Sequence, residues 1–146
     1  MNENLLAPNP TQTESEETAI KLNIDGRGIF ATWLFIIACF FYFYNYSENE
    51  KSLLTEDKEQ SSLHESNSIK AIEIGSIILL IGMVIFFINS IEQLKLLLVD
   101  ANENNTVNPT LIQGQRIVTF SNLIKVIGFT GAAIGYQVIG QSQDGT

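Results

Sequence analysis

Apolar residues along this chain gather in three blocks, 28–46, 74–91 and 117–140, and acidic residues crowd the segments before, between and after them. A soluble core scatters both kinds along amphipathic elements, whereas long uncharged blocks are the pattern of helices that cross a bilayer. The middle block has eighteen residues without a charge, of which twelve are Leu, Ile, Val or Phe. At roughly 0.3 to 0.6 kcal/mol each on an insertion scale, these twelve favour the bilayer by about 5 kcal/mol, more than Gly75, Ser76, Asn89 and Ser90 oppose. Eighteen residues rise about 27 Å, close to the hydrocarbon thickness. The pattern carries on through Leu94 and 96–98 around Glu92, Gln93 and Lys95, so the second helix is expected over 71–99, with an extension beyond the membrane and an N-cap at Ser66 or Ser68.

The first block is uncharged over nineteen residues and strongly aromatic. Trp33, Tyr42, Tyr44 and Tyr46 read as interfacial rings, with the three tyrosines at the C-terminal end, and Arg27 after an Asp25-Gly26 turn marks the other boundary. Phe30, Trp33, Phe40 and Tyr44 recur at helical spacing as one stripe. This stripe suits either a docking face or bulk facing lipid. The third block holds eleven Leu, Ile, Val or Phe over 117–139, but Lys125 at its centre would cost about 3 kcal/mol. A span placed over 123–140 lets Lys125 reach the headgroups from its first turn; an interfacial or re-entrant helix is the competing reading. The expected fold is thus all-α, an integral membrane protein with transmembrane helices over 28–46, 71–99 and 117–140. A polar, largely disordered tail over 1–27, an acidic loop over 47–70 with short helical potential at 53–63, an Asn-rich loop over 100–116 and a tail over 141–146 complete it.

Composition changes this picture in one respect. The net charge is −8 from 8 basic and 16 acidic residues, and eleven of the acids lie in 1–27 and 47–70, so the acidity belongs to the exposed arms. Few and scattered basic residues leave no footprint for nucleic acid. Their bias, with Lys21, Arg27, Lys95, Arg116 and Lys125 opposing Lys51, Lys58 and Lys70, places the N-terminus on the cytoplasmic side.

Candidate chemistry is sparse. His64 is the only histidine and Cys39 the only cysteine, which excludes a Cys-based zinc site and an internal disulfide; Cys39 reads as a small packing residue inside the first span. No nucleophile elbow, zincin motif or phosphate loop is present, so no enzymatic role, small-molecule substrate or cofactor is assigned. The sequons at Asn45 and Asn104 are attributed to the Asn-rich composition. The most informative pattern is Gly128, Gly131, Ala132 and Gly135, a small-residue face to which Gly75 and Gly82 on the second helix offer a complementary groove, within the chain or with another subunit. The expected role is a structural or accessory subunit of a larger membrane assembly, of respiratory or photosynthetic type or in a virion membrane layer, with lipid and other membrane subunits as partners. A small viroporin-like oligomeric channel and a membrane-anchored adaptor offering acidic segments to a basic partner are the alternatives.

Overall fold

The computed structural model describes residues 10–104 and 107–144. It consists of three helices, α1 (Pro10–Leu54), α2 (Lys58–Asn104) and α3 (Pro109–Asp144), and each contains one apolar block long enough to cross a membrane. At 45, 47 and 36 residues they are about 68, 70 and 54 Å long, roughly twice the thickness of a hydrocarbon core. The chain runs up, down and up, with α2 in the middle. Among the described residues α1 and α3 each pack on α2 and not on each other. The surface of 10571 Å² far exceeds the ~7,500 Å² of a compact globular chain of this mass.

The helices overrun the boundaries expected from the apolar blocks. Residues 10–27 are helical where a disordered tail is expected, and the Asp25-Gly26 turn is absorbed into α1. Continuing a helix that is already nucleated is cheap, and the extension of α2 supplies a surface beside it, since Ile20 and Asn23 line one pocket with Leu96 and Val99. The acidic loop is likewise a helical hairpin: α1 continues to Leu54, α2 starts at Lys58, and only residues 55–57 turn. Asp57 caps α2, its Oδ1 accepting from the Glu59 amide at 2.9 Å, so neither Ser66 nor Ser68 has that role. The Thr55 amide and hydroxyl both donate to the Lys51 carbonyl, at 3.0 and 2.7 Å, closing the end of α1. The Asn-rich loop shrinks because α2 extends to Asn104 and α3 opens at Pro109. Asn108 caps α3 by accepting from the Thr110 amide at 2.9 Å, and Pro109, which has no amide proton to satisfy, takes the first helical position. The first nine residues of the N-terminal tail, the last two of the C-terminal tail, and Asn105 and Thr106 of the second sequon lie outside the described residues.

Candidate helix-packing and interaction faces

The α1–α2 interface repeats every seven residues. On α1 the buried positions Ile24, Ala31, Ala38 and Asn45 form one row; on α2 Ser68, Gly75, Gly82 and Asn89 occupy the matching row. The two rows run antiparallel and meet rung by rung. The Ser52 and Ser61 hydroxyls lie 3.1 Å apart, and Asn45 Nδ2 donates to Ser68 Oγ at 2.7 Å and to its carbonyl at 2.9 Å. A Cβ on Gly75 would lie 3.4 Å from the Ala38 carbonyl and 3.0 Å from Phe41 Cβ, and one on Gly82 would lie 3.4 Å from the Ala31 carbonyl and 3.2 Å from the Phe35 ring. At the far rung Asn89 Nδ2 donates to the Ile24 carbonyl at 3.0 Å. A strict seven-residue recurrence is the signature of left-handed supercoiling, and alanine opposite glycine lets the two backbones approach closely.

Chemistry changes along this ladder in step with the apolar blocks. The central rungs, Ala38 with Gly75 and Ala31 with Gly82, carry no polar side chain. The rungs that bracket them, Asn45 with Ser68 and Ile24 with Asn89, use amides and a hydroxyl. Three heptads separate these polar rungs, a rise of ~30 Å, the thickness of a hydrocarbon core. Each places its amide toward an end of the uncharged blocks, where the N–H it donates inside the helix pair offsets part of the cost of burying it.

Charged contacts flank the polar rungs, straddling the Ile24–Asn89 rung at one end and lying beyond the Asn45–Ser68 rung at the other. Arg27 offers both terminal nitrogens to Glu92, with Nη1 3.2 Å from Oε1 and Nη2 against Oε2. The two side chains are about one-third exposed, and the fork geometry specifies register more than it adds stability. At the hairpin end Glu48 is buried, accepting from Lys51 Nζ at 2.6 Å and contacting His64 Nδ1 at 2.8 Å. The Lys51 hydrogen bond, followed by the His64 contact, holds the Glu48 carboxyl at about 2. His64 therefore serves the hairpin, and no cluster of three metal-ligating side chains occurs among the described residues.

The second row of α2 lies one residue round the helix. Ser76, Met83 and Ser90 are buried, and α3 presents Gln115, Thr119, Asn122, Val126, Phe129, Ala133 and Tyr136 at alternating spacings of four and three. Gln115 Nε2 and Thr119 Oγ1 both donate to the Ser90 carbonyl at 3.1 Å. At the opposite end a Cβ on Gly140 would meet Glu73 Oε2 at 3.5 Å and Ile69 Cγ2 at 3.6 Å. The register between these two ends brings Lys125 level with Ile29 of α1, at the mouth of the uncharged block.

The residues singled out from the sequence divide accordingly. Gly75 and Gly82 are packing glycines, but they receive α1 and not the glycines of α3. Nothing lies within 4 Å of a Cβ built on Gly128, Gly131 or Gly135. At 100° per residue their row points roughly 150° away from the seam with α2, and Ala132 is half-buried between the two faces. Arg27 is engaged by Glu92, and Lys125 is exposed. Tyr44 and Tyr46 are exposed, as boundary rings are, and Trp33 is 59% exposed within the first block. Tyr42 departs from its expected place, because its hydroxyl lies 3.0 Å from Ser76 Oγ, inside the helix pair. Cys39 is exposed beside Phe40 and Phe43, one position past Ala38, which takes the packing role expected of it. The stripe of Phe30, Trp33, Phe40 and Tyr44 faces away from α2 and is 47% to 69% exposed. Ala31 and Ala38 carry no signal in the sequence beyond the recurrence of small residues at seven-residue intervals, and Asn45 and Ser68, expected as a chance sequon and an N-cap candidate, are instead partners across the helix pair.

No family model, curated protein or solved structure matches this chain.

Proposed function

We propose that the chain is a small three-span membrane protein that acts structurally, as an accessory subunit or scaffold held in a larger assembly by the faces it leaves open. The observation that carries this reading is the contrast between its two sets of small residues. Ala31, Ala38, Gly75 and Gly82 are consumed in the α1–α2 ladder, whereas Gly128, Gly131 and Gly135 form an equivalent surface with nothing against it. Apolar side chains as large as Phe43, at 75% exposure, and Phe40, at 69%, cover the outer faces, far more than a water-soluble monomer shows. The polar rungs separated by one bilayer thickness support insertion, and the bias of basic residues supports a cytoplasmic N-terminus.

Insertion is tested by alkaline extraction of membranes from an expressing cell: the chain stays with the lipid, and release into the supernatant rejects the membrane reading. The assembly role is tested with Gly131→Leu and Gly135→Leu. Because no internal contact occupies those positions, the monomer keeps its helix content and melting behaviour while the complex that co-purifies in mild detergent is lost. Unchanged co-migration of the double variant rejects this face as the contact.

A further inference from the structure

Because α1 and α3 dock on neighbouring faces of α2 without touching, a wedge opens between them at the Arg27 end. There a cavity of about 560 Å³ is walled by all three helices, with Ile29, Phe86 and Val118 as its apolar part and Asp25, Thr32, Asn89, Ser90, Gln93 and Asn122 as its polar part. That volume is in the range of small-ligand sites. Three of its polar groups already donate to backbone. The Thr32 hydroxyl donates to the Gly28 carbonyl at 2.9 Å, the Ser90 hydroxyl to the Phe87 carbonyl at 2.7 Å, and Asn89 Nδ2 to the Ile24 carbonyl at 3.0 Å. The two hydroxyls keep only lone pairs, while Asn89 keeps one N–H beside its Oδ1, and Gln93 and Asn122 contribute amide acceptors together with amide donors. Asp25 adds a carboxylate, which only accepts when ionised, and the lining contains no lysine or arginine. The sharpest sign is Asn89 itself: it is 4% exposed, and its Oδ1 has no hydrogen-bond partner. A buried acceptor left unmade is costly, whereas donors from a charged group repay it well.

We propose that this cavity binds the head group of an aminophospholipid, its primary ammonium donating to the acceptors around Asn89 and Asp25 while an acyl chain follows Ile29, Phe86 and Val118 into the wedge. The ammonium brings three N–H donors and a positive charge. A choline head group brings the charge without a donor, and a glycerol head group brings donors without the charge. The inference rests on the membrane reading above, because the cavity lies at the level of the Ile24–Asn89 rung, where head groups are met.

The test uses the full chain in nanodiscs containing equal amounts of phosphatidylethanolamine, phosphatidylcholine and phosphatidylglycerol, with lipids retained on the protein counted by native mass spectrometry. Phosphatidylethanolamine is retained about tenfold over each of the others, the ratio expected for one buried charge-assisted hydrogen bond. Asn89→Leu removes the preference. Asp25→Asn, at an exposed position, lowers it without disturbing the α1–α2 ladder. Equal retention of the three lipids by the wild-type chain overturns the proposal, and so does a preference that survives both substitutions. A chain that enters nanodiscs but does not discriminate defeats this site alone; one that fails to enter any bilayer defeats the membrane reading and the site together.

Discussion

Gly75 has Phe41 Cβ at 3.0 Å and Gly82 has the Phe35 ring at 3.2 Å from where a side chain would begin, so the close approach of two backbones depends on the absence of two methyl groups. Gly75→Leu and Gly82→Leu are expected to force α1 and α2 apart and destabilise the chain by about 1–3 kcal/mol or more, by overpacking. Gly26, with open space around it, responds in the other direction: Gly26→Ala stabilises by up to ~1 kcal/mol through helix propensity. Thermal unfolding in detergent separates these outcomes. Glu48 supplies a second handle at this scale. Its folded value of about 2 lies below the ordinary 4.5, so its contribution is complete above 4.5 and is lost as pH falls from there toward 2. Amide protection across 48–64, measured against the intrinsic exchange rate at each pH, should therefore fall at the acid end of that window, and in Glu48→Gln it should respond far less to pH. The Glu48 cluster was hidden from sequence reading because His64 and Glu48 are sixteen residues apart and meet only through the hairpin.

Among the elements, the apolar blocks located all three helices but not their ends. Hydrophobicity reports what can enter lipid, while helix length is set by propagation and by the neighbour alongside, which is why residues 10–27 and 47–54 are helical without an apolar pattern of their own. Pairing was harder still. The glycines at 75, 82, 131 and 135 all sit at helix-packing intervals, and spacing alone does not say which row meets which. Ala31 and Ala38, which settle the question for α1, looked unremarkable within a block dominated by aromatic rings. The register is open to a direct check in a Cys39→Ser background. Asn45→Cys with Ser68→Cys should cross-link on mild oxidation, since Asn45 Nδ2 and Ser68 Oγ are 2.7 Å apart. Asn45→Cys with Ser61→Cys is one heptad out of step, ~10 Å along the axis, and should not.

The whole molecule is a wedge, with α2 as the spine and two helices on adjacent sides. A single copy cannot enclose a pore, because α1 and α3 do not meet. The two interfaces also differ in kind. The α1–α2 contact is a ladder of small residues along the apolar block with specific polar bonds at both ends, and the α2–α3 contact is secured at its start by Gln115 and Thr119 reaching the Ser90 carbonyl. The first pair is accordingly expected to hold without the third helix: a chain ending at residue 104 should keep the Asn45→Cys, Ser68→Cys cross-link in membranes, and loss of that cross-link would show that α3 is needed to brace the pair.

The three-residue turn at 55–57 bears on how the protein is made. Ser52 and Ser61, the first rung of the ladder, flank that turn directly, and each further rung encloses one heptad more on each side, so the pair can close like a zipper from its tip. Contacts that grow outward from a short loop form quickly, because each costs little extra chain entropy. The hairpin needs nothing from α3 to close, and its two open ends lie together at the end away from the turn. When α3 then docks on the free side of α2, it builds the third wall of the wedge onto a pair already formed.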